Sequence, residues 1–124
     1  IISTFAGTGV SGFSGDGGAA KSAKITNAEN ILFYNNSLYI ADSGNDRIQK
    51  FDGNGKLLMH FGSSGGTRPP YIPGEFKTPS GVAVDNEGYI WVVDTGCHRI
   101  QKFDPEGDFF LEVIPIKVFL CFLQ

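Results

Sequence analysis

The hexapeptide Arg-Ile-Gln-Lys-Phe-Asp occurs twice in this chain of 124 residues, at positions 47–52 and again at 99–104. The similarity extends well beyond it, so that LYIADSGNDRIQKFDGNGKLL from Leu38 aligns with IWVVDTGCHRIQKFDPEGDFF from Ile90 at an offset of 52 residues. Self-similarity at such a period is typical of propellers, solenoids and other repeat architectures. We therefore expect two copies of one structural unit.

Each copy has the pattern of a small antiparallel sheet. Short runs rich in β-branched and aromatic residues alternate with turns that pair an Asp with a Gly, such as DNEG at residues 85–88 and DPEG at 104–107. In such turns Asp accepts hydrogen bonds from backbone N–H groups, and Gly tolerates positive φ. The pattern predicts four strands in the second copy, at residues 81–84, 89–93, 99–103 and 109–114.

The inner strands are apolar at successive positions, as in LYIA at residues 38–41 and IWVV at 90–93. Neighbouring side chains of a strand point to opposite faces, so such a strand has to be covered on both faces. Stacked blades of a β-propeller meet this requirement without helices. The prediction is an all-β fold, in which the equivalent residues Tyr39 and Trp91 pack between blades rather than at a ligand site.

The second copy resembles the NHL repeat, whose blades typically read Pro-x-Gly-Val-Ala-Val-Asp, then an apolar strand ending in Val-Asp or Ala-Asp, then Arg-Ile and a closing Phe. Residues 79–85 read PSGVAVD, and VD at 93–94 and HRIQKF at 98–103 continue the match. The first copy matches from Leu38 onward but departs before it, where NAENILF occupies residues 27–33. The resemblance implies a β-propeller of NHL type.

The expected organisation is a strand of a preceding blade at 1–8, a loop at 9–25, a blade at 26–62, a loop at 63–76, a blade at 77–114 and an atypical apolar tail at 115–124. Propellers typically have four to eight blades. Two four-stranded blades plus one strand make an incomplete propeller. We therefore expect a fragment of a longer protein, with the remaining blades of the parent chain among its partners.

The resemblance implies a scaffold that binds another protein and is not catalytic in itself. Two alternatives stay open. One is an enzyme of the peptidyl-hydroxyglycine lyase or lactonase kind with a central metal, and the other is an RNA-binding NHL domain of a tripartite-motif ubiquitin ligase. The formal net charge of −3 disfavours nucleic acid, whose phosphates attract basic surfaces. No apolar stretch approaches the ~20 residues of a membrane span.

The connection at residues 63–76 is long for a compact domain, and such loops are often functional. Because Tyr and Arg are enriched in protein interfaces, the predicted binding surface consists of Arg68, Tyr71, Phe76, Arg47 and Arg99. Asp42 and Asp94 end apolar strands five residues before Arg47 and Arg99. We expect these carboxylates to have a structural role, accepting backbone N–H groups across the turn.

His98 is the candidate metal ligand, because it stands in a turn four residues after Asp94, where the first copy has Asp46. Propellers of the lyase kind hold their metal through histidines from different blades. The other histidine here, His60, occupies a non-equivalent position. Since a zinc site needs three or four ligands, we predict no metal site. We predict no cofactor either, because the glycines that follow GTGVSG at residues 7–12 disfavour the helix of a dinucleotide site.

Overall fold

A computed structural model describes residues 6–8, 25–66 and 70–113. These residues form strands β1 (Ala28–Tyr34), β2 (Ser37–Asp42), β3 (Arg47–Asp52), β4 (Leu57–Phe61), β5 (Ser63–Ser64), β6 (Glu75–Phe76), β7 (Pro79–Val84), β8 (Ile90–Asp94), β9 (Arg99–Phe103) and β10 (Phe109–Val113). Short 3-10 turns at Ser43–Asn45 and Thr95–Cys97 connect β2 to β3 and β8 to β9. Within the described ranges no helix is long and apolar enough to cross a membrane.

The eight longer strands form two four-stranded antiparallel sheets. The first blade has the order β1-β2-β3-β4, and the second has β7-β8-β9-β10. The four strands predicted in the second copy are present, and no end differs from its predicted position by more than two residues. Strand β1 forms in the first copy although its sequence departs from the repeat. The prediction of an all-β fold made of propeller blades is confirmed.

The central hairpin has the same register in both blades. Asp42 lies opposite Arg47 in the first blade, and Asp94 lies opposite Arg99 in the second. At the other end of the same hairpins, Lys50 pairs with Tyr39 and Lys102 pairs with Trp91. Because the register is identical, residues 52 positions apart in β2 and β3 have the same place in the two blades. Differences between such residues are therefore differences in sequence, not in backbone.

The main hydrophobic core lies between the two sheets. Its buried members are Tyr39, Ala41, Ile48, Phe76, Val82, Ile90, Val92 and Phe103. At its edge the ring of Phe103 packs against that of Phe61 in a tilted arrangement, with 4.8 Å between centroids, and edge-on against that of Phe76, with 5.4 Å between centroids. On the opposite face of β2, Ile40 packs with Phe51 in a second, smaller cluster. Strand β2 is thus covered on both faces, as its successive apolar residues require.

The predicted loop at residues 63–76, here called the connecting segment, contains the two short strands. Ser63 and Ser64 pair in parallel with Glu75 and Phe76. The two sheets lie within the predicted blade ranges 26–62 and 77–114. Residues 6–8 are irregular, whereas the rest of the predicted first strand, most of the loop 9–25 and the tail 115–124 lie outside the described residues.

The 3-10 turns and the connections that enter each blade lie together, at what we call the ion-pair end of the blades. The opposite or hairpin end carries the β1–β2 and β3–β4 turns and their equivalents. At the ion-pair end the N–H of Gly96 donates to the carbonyl of Lys77 at 2.7 Å. A Cβ at Gly96 would lie 2.5 Å from that oxygen, closer than such atoms approach. The repeated glycine in these turns therefore allows the preceding connection to lie close.

Candidate interaction surfaces

Each blade contains one buried ion pair at its ion-pair end. Arg47 Nε donates to Asp42 Oδ2 at 2.8 Å, and Arg99 Nε donates to Asp94 Oδ2 at 3.0 Å. The four side chains are at most 1% exposed. Burial of a charge is costly unless a partner and further hydrogen bonds satisfy it. We therefore expect the remaining carboxylate oxygens and guanidinium N–H groups of these residues to form hydrogen bonds as well.

The second oxygen of each Asp binds the connection that enters its blade. Asp42 Oδ1 accepts the backbone N–H of Thr26 at 2.8 Å, and Asp94 Oδ1 accepts that of Lys77 at 2.7 Å. Each carboxylate therefore joins the end of an inner strand to an arginine and to the chain entering the blade. In these contacts Asp42 and Asp94 hold the backbone at the strand ends through hydrogen bonds.

Arg99 also fixes the connecting segment. Its Nη2 donates to the carbonyls of Ile72 and Glu75, both at 2.8 Å, and its Nη1 donates to Glu112 Oε2 at 2.8 Å. Gln101 donates to the same Glu75 carbonyl at 2.8 Å and accepts the N–H of Gly74 at 2.9 Å. Buried polar groups of the second blade thus bind the backbone of residues 72–75 at several points.

Most residues of the predicted binding surface lie elsewhere than expected. Arg47, Phe76 and Arg99 are buried, the two arginines in the ion pairs and Phe76 in the core. A side chain without exposed area cannot contact a partner in this conformation, which corrects the expectation for these three residues. Tyr71 is half-buried, with its ring 5.4 Å from the guanidinium carbon of Arg99. Arg68 lies outside the described residues.

An exposed loop remains at the ion-pair end. Ile72 is 56% exposed, and its neighbours Pro70 and Pro73 are exposed as well. The backbone carbonyl of Ile72 is bound to Arg99. We call residues 70–74 the Ile72 loop. It presents an apolar side chain from a backbone that the blade fixes in place.

His98 and Asp46 have the same conformation but different surroundings. Both follow a 3-10 turn with positive φ, 53° and 52°. Asp46 is buried, and its carboxylate accepts Ser64 Oγ and the N–H of Thr78, each at 2.7 Å. His98 is exposed. Among the described residues no group of three or more His, Cys, Asp or Glu side chains is placed to hold a metal ion.

Cys97 lies beneath this turn. It is buried, and its S–H donates to the carbonyl of Gly66 at 3.2 Å. Burial raises the pKa of the Cys97 thiol to about 11, and the negative charge of Asp94 acts in the same direction. The thiol is therefore protonated at neutral pH and forms part of the packing between the second blade and the connecting segment.

A second feature lies at the hairpin end of the second blade, on the face turned away from the first blade. The ammonium of Lys102 lies 4.2, 4.8 and 5.2 Å from three ring centroids. These rings, which we call the aromatic cluster, belong to Tyr89, Trp91 and Phe110. Asp85 Oδ2 lies 3.6 Å from the same ammonium and accepts Trp91 Nε1–H at 3.0 Å. The bond from Trp91, together with backbone bonds from Tyr89 and Glu87, lowers the pKa of Asp85.

The first blade lacks this arrangement. At the equivalent positions it has Ser37, Tyr39 and Leu58, and the ammonium of Lys50 lies 5.3 Å from the centroid of the Tyr39 ring. Tyr39 is 4% exposed and packs between the blades, as predicted, whereas Trp91 is half-buried on the outward face. Sequence reasoning missed the aromatic cluster. Its signal was the replacement of Ser37 and Leu58 by aromatic residues in the second copy.

Comparison with known proteins agrees with this architecture. A family model described as "SMP-30/Gluconolactonase/LRE-like region" matches residues 18–121. The "B-box type zinc finger protein ncl-1" of Caenorhabditis elegans is 48% identical over 56 residues, covering 44% of this chain and 6% of the relative. "NHL repeat-containing protein 2" of Bos taurus is 36% identical over 85 residues, covering 67% of this chain and 12% of the relative.

Two further similarities bear on function and fold. The "Probable peptidyl-alpha-hydroxyglycine alpha-amidating lyase pgal-1" of Caenorhabditis elegans is 32% identical over 85 residues, covering 64% of this chain and 23% of the relative. A crystal structure of a Bacteroides fragilis protein superposes with a TM-score of 0.62 at 28% identity, covering 73% of this chain and 25% of that chain.

This chain thus spans between 6% and 23% of the length of these curated relatives. The family match covers most of the chain, and the blades match the repeat inferred from the sequence. The chain belongs to the SMP-30/gluconolactonase/LRE-like family, and its two blades are NHL repeats.

Proposed function

We propose that this chain is part of a propeller scaffold that binds another protein, and that the Ile72 loop at the ion-pair end makes the contact. The single observation that carries the proposal is an exposed apolar side chain on a loop whose backbone is bound by Arg99 and Gln101. Loops held on a rigid scaffold commonly carry binding residues. Of the residues predicted from sequence, Tyr71 lies in this region.

The clamped backbone supports binding for an energetic reason. Ordering a free loop on association costs conformational entropy, and a loop already held in place avoids much of that cost. The two buried donors, Arg99 and Gln101, fix residues 72–75 from beneath and leave the Ile72 side chain outward. An aliphatic side chain held in this way can serve as an anchor when a partner offers an apolar pocket.

A matched pair of substitutions tests the proposal. Ile72→Asp removes the proposed anchor, and Leu58→Asp makes the same change at a side chain of similar exposure, 56% against 49%. The tagged chain and both variants would capture proteins from a lysate of the source organism, with quantitative mass spectrometry as the readout. We expect Ile72→Asp to reduce specific capture more than about tenfold, in the range of an interface anchor. Equal capture by both variants would contradict the proposal.

An enzyme of the lyase kind is the second candidate, favoured by the similarity to the amidating lyase of Caenorhabditis elegans. The direct test incubates the chain with Zn²⁺ and a peptidyl-hydroxyglycine substrate, next to the His98→Ala variant. If the chain is a scaffold, we expect substrate turnover no faster than with Zn²⁺ in the absence of the chain. Turnover that His98→Ala abolishes would support the enzyme instead.

A further inference from the structure

A cavity of about 150 Å³ lies between the two blades at the hairpin end. Residues of both blades line it, among them Tyr34, Ser37, Tyr39 and Lys50 of the first and Gly88 and Pro105 of the second. Both walls belong to this chain, and a further blade on either side would pack on the far face of one of these two. The cavity is therefore a feature of this pair of blades.

The wall that the first blade contributes is rich in hydrogen-bond donors. Tyr39 is 4% exposed and Ser37 is 8% exposed, and neither hydroxyl forms a hydrogen bond with any residue that the structure describes. The ammonium of Lys50 lies 5.3 Å from the centroid of the Tyr39 ring. In the part of the chain that the structure describes, no carboxylate forms an ion pair with Lys50. Since buried polar groups are normally hydrogen-bonded, these donors call for an acceptor.

The second blade shows which group satisfies donors at the same places. Lys102 is equivalent to Lys50, and Trp91 is equivalent to Tyr39. Asp85 contacts both of these residues, because its Oδ2 lies 3.6 Å from the ammonium of Lys102 and accepts Trp91 Nε1–H at 3.0 Å. An ionised carboxylate only accepts hydrogen bonds. One carboxylate thus serves the lysine and the ring donor together.

The first blade has the same donors without this carboxylate. Tyr34 pairs with Ser37, and Asp85 is hydrogen-bonded to Tyr89, the residue equivalent to Ser37. Tyr34 therefore has the place of Asp85 in the first blade. A single lysine with neutral hydroxyl donors matches the single charge of a carboxylate. A phosphate group carries about −1.5 to −2 at pH 7 and would need more positive charge.

We propose that the cavity between the blades binds the carboxylate group of a ligand, in the place that Asp85 has in the second blade. Lys50 supplies the positive charge, and the hydroxyls of Tyr39 and Ser37 donate hydrogen bonds. Pockets for drug-sized ligands measure about 300–1,000 Å³, so this cavity admits a short-chain carboxylic acid or the end of a glutamate side chain. It lies opposite the Ile72 loop, and its test is independent of the proposed function.

An NMR titration of the isotopically labelled chain tests the proposal at constant ionic strength. The ligands are butyrate, a free acid, and Nα-acetyl-glutamate amide, which represents the side chain of a partner protein. We expect saturable shifts at the backbone amides of Ser37, Tyr39 and Gly88, with a millimolar Kd for ligands so small. The neutral counterparts, butyramide and Nα-acetyl-glutamine amide, should bind at least about tenfold more weakly. Tighter binding of butyrate would support a free acid as ligand, and tighter binding of the glutamate derivative would support a protein side chain.

Two matched pairs of variants locate the site. Lys50→Met keeps the aliphatic stem without the charge and should weaken binding at least about tenfold. Lys56→Met makes the same change at an exposed lysine of the hairpin end and should leave the affinity unchanged. Tyr34→Asp supplies the carboxylate of the second blade within the chain and should abolish ligand binding, whereas the neutral Tyr34→Asn should retain it.

Five results would overturn the proposal. They are the absence of saturable shifts in the unaltered chain, equal binding of the neutral amides, tighter binding of inorganic phosphate than of either acid, equal losses in Lys50→Met and Lys56→Met, and equal binding by folded Tyr34→Asp and Tyr34→Asn. Equal losses at the two lysines would show general charge attraction in place of a defined site. If Lys50→Met does not fold, the pair of variants at position 34 decides the question.

Discussion

The ion pair of the second blade should be a main source of stability, and Asp94→Ala tests this. The substitution removes the buried partner of Arg99 and the acceptor for the N–H of Lys77. Breaking a buried pair by removing one partner costs about 3–5 kcal/mol, and an unsatisfied backbone N–H adds about 1 kcal/mol or more. The total approaches the whole stability of a small domain, about 5–15 kcal/mol.

The measurement is urea unfolding followed by the fluorescence of Trp91. Asp94→Ala, Arg99→Met and the double variant form a cycle, and Asp108→Ala, at an exposed position, is the control. We expect a coupling energy of at least about 2 kcal/mol between Asp94 and Arg99 and an effect within about 0.5 kcal/mol for the control. If Asp94→Ala lowered the free energy of unfolding by less than about 1 kcal/mol, or if the cycle showed no coupling between Asp94 and Arg99, the ion pair would not be a main source of stability.

Three further predictions concern stability. Phe76→Ala empties a fully buried site between the blades and should lower the free energy of unfolding by about 3–5 kcal/mol, measured by urea denaturation. Gly96→Ala places a Cβ 2.5 Å from the carbonyl of Lys77 and should lower the melting temperature by several degrees; an unchanged melting temperature would contradict the close approach. The pKa of Cys97 is raised from 9.0 to about 11 by folding, so the protonated thiol contributes to the free energy of unfolding below pH 9, and this contribution is lost as pH rises toward 11. Between pH 9 and pH 11 the free energy of unfolding should therefore fall less in Cys97→Ala than in the unaltered chain. Identical pH profiles of stability for the two proteins would contradict this prediction.

The fold could be predicted because repeat, turn and strand signals agree with one another. The offset of 52 residues indicates a repeat, the Asp and Gly pairs mark its turns, and the successive apolar positions of β2 and β8 require cover on both faces; together they indicate the stacked four-stranded units that are observed. Strand β1 was harder, since residues 27–33 depart from the repeat. It forms because its backbone pairs with β2 from Ala28 to Tyr34.

The interaction surfaces were less predictable, because they depend on contacts between distant parts of the chain. Arginines are rarely buried, so Arg47 and Arg99 were expected at the surface. The burial of Arg99 depends on carbonyls that precede it by 24 and 27 residues. The aromatic cluster likewise depends on the register that places Trp91 opposite Lys102. Composition and local sequence pattern do not show which distant carbonyls bind Arg99 or which residues pair across the strands.

Photo-crosslinking from the Ile72 loop tests the proposed binding role most directly. A benzophenone amino acid would replace Ile72 in one sample and Leu58, of similar exposure, in the other. After irradiation in a lysate of the source organism, we expect a discrete protein adduct from position 72 that excess unlabelled chain suppresses and nuclease leaves intact. No adduct at position 72, equal adducts at both positions, or adducts that nuclease removes would contradict a protein-binding scaffold that acts through this loop.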